Sequence, residues 1–163
     1  MRKTVHKLFA VWNFDKEEDW LNEMALQGWA LDGVGLFTYR FVSSEPGEYS
    51  VRLEMRGLDE RYLDFMAETG AEYIGRVVQW IFFRKKTAAG PFDIFSDIDS
   101  KIAHLSRIGK MLFVIGVANL VIGLAEIHMI GWLNLLCSTL LMYALGRIQG
   151  KKEALEKERT LHE

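Results

Sequence analysis

Cysteine is almost absent: the chain of 163 residues has one, Cys137. A lone thiol excludes an internal disulfide, and no group of Cys and His has the spacing of a zinc site. Cys137 falls inside an apolar stretch, where a thiol serves as a small apolar filler. An excess of either charge is also lacking, since 20 Lys and Arg against 22 Asp and Glu leave a formal charge of −2. That balance gives no basic surface for nucleic acid. Catalytic signatures are missing as well. His6, His104, His128 and His162 are dispersed, and Gly33-Val34-Gly35 is too short for a nucleotide fingerprint. No nucleophile with its base, paired-carboxylate site or phosphate loop is legible, so the chain reads as a non-enzyme without cofactor or metal. The opening MRKTVHKLFAVWNF has only a short apolar run, broken by Asn13 and Asp15, and does not read as a secretory leader.

What the chain has is two long apolar runs, MLFVIGVANLVIGLAEI at 111–127 and MIGWLNLLCSTLLMYALG at 129–146, with Glu126 their one charged residue. Extended to 108 and 148, each makes a helix of roughly 30 Å, the thickness of a hydrocarbon core. The expectation is a transmembrane helical hairpin over 108–148, turning at Glu126-Ile127-His128. Lys101, Arg107 and Lys110 precede it and Arg147, Lys151 and Lys152 follow, while the tip has no Lys or Arg. Basic flanks stay inside, so a multi-pass cell-membrane protein with both termini cytoplasmic is expected. Leu112, Gly116, Asn119, Gly123 and Glu126 make one stripe, and Gly131, Asn134, Ser138, Leu141 and Leu145 another. Helix-helix packing through Gly116, Asn119, Gly123, Asn134 and Ser138, with an Asn119 to Ser138 hydrogen bond, follows.

The remaining chain reads as α+β. A strand over 4–12, a helix over 16–27 ended by Gly28, strands over 29–41 and 48–55, a helix over 59–68 ended by Gly70, and a strand over 72–83 give the order βαββαβ. This is the ferredoxin-like arrangement, four antiparallel strands with both helices on one face, expected over residues 1–88. The other face would stay open, with Arg76, Trp80 and Arg84 on it, for dimerisation or packing on the membrane; the aromatic signature of RNA-binding sheets is missing. Arg84, Lys85 and Lys86 at the strand end, together with the basic flanks of the hairpin, are expected to contact anionic headgroups. Over 89–107 a linker leads into an amphipathic helix with Phe95, Ile98, Ile102 and Leu105 on one side, lying at the interface. Asp93, Asp97 and Asp99 suit a helix start better than a metal site. Residues 149–163 are a charged cytosolic tail.

Four blocks, VHKLFAVWNFDKEEDWLNEMALQGW at 5–29, PGEYSVRLE at 46–54, ETGAEYIG at 68–75 and GPFDIFSDIDSKIAH at 90–104, together resemble the bacterial family known as domain of unknown function 2812. The resemblance covers roughly 5–107. It implies a cytosolic domain ahead of membrane helices, and a gene encoded beside that of a PadR-like transcriptional regulator, hence a membrane-linked regulatory role; it implies no activity and no site residues. The expectation is a membrane-anchored regulatory or sensory protein whose cytosolic domain binds a protein partner or small ligand. The competing one is an accessory subunit of a transporter or other membrane complex. Partners on these readings are the bilayer, a membrane protein or a second copy, or a PadR-like regulator, and not nucleic acid.

Overall fold

Apolar residues at period two and two glycine-ended helices build the first part of the chain twice over. A computed structural model describes residues 1–95, 97–126 and 128–162, without the side chain of His162. Ser96 of the expected amphipathic helix, Ile127 of the expected tip and Glu163 of the tail lie outside the described residues. The chain forms two compact units, Met1–Ile94 and Phe95–Glu163.

The first unit runs β1 (Arg2–His6), α1 (Phe14–Leu26), β2 (Trp29–Gly35), β3 (Thr38–Ser43), β4 (Tyr49–Met55), α2 (Glu60–Glu68), β5 (Ala71–Val77) and β6 (Trp80–Lys86). These strands make two antiparallel three-stranded sheets, in the orders β1-β3-β2 and β4-β6-β5. The single four-stranded ferredoxin-like sheet is therefore replaced by a βαββ module that occurs twice. Glu18, Leu21, Met24, Ala25 and Gly28 recur 42 residues on as Glu60, Leu63, Met66, Ala67 and Gly70. Both glycines end their helices at a left-handed φ, 82° and 83°, where a side chain would be strained. Both modules bulge in their second strand, between Leu31 and Gly33 and between Tyr73 and Gly75.

The sequence reading missed a strand in each module because the left-handed residue of each hairpin turn is apolar. Phe37, at φ 61°, turns β2 into β3, and Val78, at φ 55°, turns β5 into β6. Neither residue type signals a turn. The first strand likewise ends at His6, and Val11–Asn13 is a short 3-10 turn leading into α1.

Equivalent positions build the two cores. In the first module Leu21 and Met24 of α1 pack on Leu31, Tyr39 and Phe41. In the second Met66 packs on Ala71, Ile81 and Phe83, joined by Phe92. The modules differ on the opposite sheet face. Val51, Leu53 and Phe82 of the second sheet join the core beneath α1, so Ile81, Phe82 and Phe83 are all at most 2% exposed. Each such side chain contributes about 1.5–3 kcal/mol of burial. The expected open face is thus closed by α1. Trp80 packs on Phe14 with ring centroids 5.4 Å apart, and Arg84 is paired with Glu72 at 2.8 Å.

The edge of β4 is closed by side chains. Asn22 accepts from Val51 N at 2.8 Å and donates to Val51 O at 3.1 Å, and Glu18 accepts from Leu53 N at 3.1 Å. An amide offers one donor group and one acceptor, so Asn22 stands in for a neighbouring strand. In the first sheet β1 is an edge strand, and Arg2, Lys3, Thr4 and His6 on it are exposed.

The second unit is two helices, α3 (Ile98–Ala125) and α4 (Met129–His162). Both are long and apolar enough to cross a membrane. Asp97 caps α3, accepting from Ser100 N at 2.7 Å while Asp97 N donates to Ser100 Oγ at 3.3 Å. Residues Ile98 to Arg107 are the first turns of α3 itself and not a separate helix, and Phe92 belongs to the core of the first unit. The tail continues α4 as helix through His162. Asp99 pairs with Arg159 at 2.9 Å.

Candidate functional site

α1 presents a carboxylate on its apolar stripe: Glu17 stands one turn before Trp20 and Leu21 and two before Met24. It faces a cavity of about 180 Å³ bounded by the segment from Lys7 to Phe14, by the β2–β3 turn and by the β5–β6 turn. Phe9, Phe14, Tyr39, Trp80 and Phe82 supply aromatic walls, and Glu17, Tyr39 and Lys7 the polar groups. Tyr39 donates its hydroxyl to Glu17 Oε1 at 2.5 Å, a short charge-assisted bond. Burial raises the Glu17 carboxyl above its ordinary range, and the Tyr39 hydrogen bond opposes this. Burial and the neighbouring Glu17 push the Tyr39 phenol up as well. Lys7 holds its ammonium over the rings of Phe9 and Trp20, 4.8 and 4.4 Å from the centroids.

The cavity mouth is apolar and strained. Leu36 is 65% exposed, Phe37 52% and Val78 71%. Phe37 and Val78 are the non-glycine residues with left-handed φ among the described residues, and a β-branched residue there costs on the order of 1–2 kcal/mol. Exposed apolar tips around a pocket holding a few convergent polar groups are the makings of a recognition site. Among the described residues no group of three His, Cys, Asp or Glu comes together that would hold a metal ion.

The family model for "Protein of unknown function (DUF2812)" matches residues 13–117, more than half of the chain. The chain belongs to the DUF2812 family. The match opens just ahead of α1 and ends inside α3. The DUF2812 portion therefore contains Phe14, Glu17, Tyr39 and Trp80, whereas Lys7, Phe9 and Val11 of the same cavity precede it. Among curated proteins and among solved structures, none matches the chain.

Of the residues the sequence singled out for helix packing, Gly116, Gly123 and Ser138 are buried between α3 and α4, with Leu112 and Gly131. Ser138 donates its hydroxyl to Gly116 O at 2.9 Å. The expected Asn119 to Ser138 bond is absent. Asn119 donates to Ile115 O at 2.8 Å and Asn134 to Ile130 O at 2.9 Å, each within its own helix, and both are half-buried. A Cβ on Gly123 would stand 3.0 Å from Gly131 O, so glycine lets the backbones approach.

Of the basic residues expected at the membrane surface, Arg84 is taken up inside the first unit, donating to Glu72 and, at 2.7 Å, to Leu31 O. Lys86 lies 3.6 Å from Glu48, and Lys85 stands over the Phe92 ring at 6.0 Å. Lys101, Arg107, Lys110, Arg147, Lys151 and Lys152 lie on the two helices of the second unit; Lys152 is 3.5 Å from Glu156. Cys137 is half-buried on α4. Sequence reasoning missed Lys7, Glu17 and Tyr39; the available signal was the carboxylate on the apolar stripe of α1.

Proposed function

We propose that the chain is a membrane-anchored regulatory or sensory protein. Its unit Met1–Ile94 binds a small, largely apolar ligand carrying a hydrogen-bonding group, and α3 and α4 anchor it with both termini in the cytoplasm. The observation that carries this reading is the cavity: aromatic walls, a hydrogen-bonded Glu17–Tyr39 pair in its lining, and exposed apolar turns held in strained backbone at its mouth. The Glu17 carboxyl, the Tyr39 phenol and the Lys7 ammonium supply the polar groups that would orient such a ligand among the aromatic walls. The test is native mass spectrometry and thermal-shift screening of the full chain in mild detergent against a metabolite collection, with Val77→Trp filling the cavity. A retained compound or a shift that Val77→Trp abolishes is expected. A chain that retains and responds to nothing, or responds identically with the cavity filled, refutes the reading.

A second reading, an accessory subunit of a membrane complex, is favoured by Asn119 and Asn134. Each amide uses a donor on its own backbone and has no further partner among the described residues, leaving a polar group on an apolar helix surface. Such amides bond across helices in membranes. Co-purification in mild detergent, compared with Asn119→Leu and Asn134→Leu, separates the readings: a membrane protein lost from both variants supports the subunit, and a chain that always runs alone refutes it.

A further inference from the structure

At the end of the helix pair away from the α3–α4 turn, α3 and α4 leave an open groove of about 270 Å³. Its position along the chain is informative. The apolar run of α3 begins at Met111, directly after Lys110, and that of α4 ends at Gly146, directly before Arg147 and shortly before Lys152. On both helices the groove straddles the step from apolar to charged sequence, the level at which a spanning helix meets headgroups. This inference rests on the membrane reading proposed above.

The groove has two chemistries. Lys110, Lys152, Ser106 and Gln149 line its charged end, and Phe113 and Leu145 wall its apolar end. Gly109 opens it, since the absent side chain leaves Leu145 Cδ1 3.5 Å from where a Cβ would stand. Lys110 is exposed and has no ion pair or hydrogen bond among the described residues, while Lys152 lies 3.5 Å from Glu156. From Ser100 to Ala125, α3 has no acidic residue. The charged end therefore asks for an anion, and the apolar end asks for hydrocarbon attached to it. Phe113, 53% exposed, extends that wall along the outer surface of α3.

We infer that this groove seats one anionic phospholipid, its phosphate between Lys110 and Lys152 and an acyl chain along Phe113 and Leu145. Ser106 and Gln149 hydrogen-bond the phosphate or glycerol oxygens. A free phosphate fits only half of the groove, and a zwitterionic lipid of the same chains lacks the net charge the two lysines select. Basic pockets between helices at a membrane face bind anionic headgroups in this way.

The experiment starts with alkaline carbonate extraction of membranes containing the full chain. Release into the soluble fraction would overturn the membrane reading and the lipid seat together. The retained chain is then purified in mild detergent and offered equal amounts of phosphatidylglycerol and phosphatidylcholine with identical acyl chains, and adducts are counted by native mass spectrometry. The expected result is a preference for phosphatidylglycerol that falls on the order of tenfold in Lys110→Gln/Lys152→Gln. Arg147→Gln/Lys151→Gln, which removes the same charge outside the groove, keeps the preference. An equal loss in both variants would overturn the seat in favour of general attraction. So would the absence of any preference in the membrane-retained chain, which leaves the membrane reading standing. Displacement by inorganic phosphate at the lipid's own concentration would show a phosphate site and overturn the lipid.

Discussion

Replacing Asn22 with alanine isolates the closure of the β4 edge. Val51 is fully buried, and both its N–H and its C=O are bonded to the Asn22 amide. Truncation strands the buried Val51 N–H, at about 1–3 kcal/mol for an unsatisfied group, whereas Val51 O keeps the Arg52 guanidinium, which donates to it at 3.0 Å. Water entering from the strand edge recovers part of this, so a net loss of about 1–2 kcal/mol is expected, a sizeable share of a small unit's stability. The control is built into the repeat: Asp64 stands 42 residues after Asn22 at the matching position of α2 and is exposed. Asp64→Ala should stay within about 0.5 kcal/mol of wild type. Urea unfolding of the full chain in detergent, followed by tryptophan fluorescence in a Trp132→Phe background, reports on the first unit through Trp12, Trp20, Trp29 and Trp80. With m about 1–2 kcal/mol/M, Asn22→Ala should lower the midpoint by roughly 0.5–2 M. Equal midpoints for Asn22→Ala and Asp64→Ala would refute the claim that side chains complete this sheet.

Burial lifts the Glu18 carboxyl to about 7 against the pull of Arg52 and the Leu53 N–H, and it raises Glu17 too. The folded state then holds protons the unfolded chain has released, so stability falls as pH rises from about 4.5 toward 7, and Glu18→Gln should flatten that slope in unfolding measured across the range. Val78→Gly relieves a left-handed β-branched residue that is 71% exposed, and should stabilise the first unit by about 1 kcal/mol in the same assay. In the helix pair, Ser138→Ala removes the bond to Gly116 O and should cost about 0.6–1.7 kcal/mol in thermal melts followed by circular dichroism. Gly131→Ala, whose Cβ would collide with the Glu126 carbonyl oxygen, should cost more, with about 1–3 kcal/mol typical of overpacking as a lower guide.

The helix pair was legible because a charge-free apolar run has few alternatives, and the glycine-ended α1 and α2 were legible because Gly28 and Gly70 punctuate their periodicity. The hairpins were not. Phe37 and Val78 turn the chain without Gly, Asn or Asp, so each hairpin read as one long strand and the count fell from six strands to four. The duplication was open to inspection in Glu18, Leu21, Met24, Ala25 and Gly28 against Glu60, Leu63, Met66, Ala67 and Gly70. Divergence hides it elsewhere, because Arg40 faces solvent where the matching Phe82 lies under α1. The cavity was illegible for a related reason: its walls come from both modules and meet only once two hairpin turns are placed side by side.

The asymmetry between the modules bears on how the protein is born. The carboxamide that finishes the β4 edge leaves the ribosome before β4 exists, so the first module emerges with α1 holding an unused hydrogen-bonding face and part of an apolar one. The second module emerges with Val51, Leu53 and Phe82 uncovered until it finds that helix. Each half thus leaves part of its bonding or apolar surface for the other to cover, despite the repeat. A break between them by truncation, insertion or a pause in synthesis should produce aggregation-prone halves in place of two small domains.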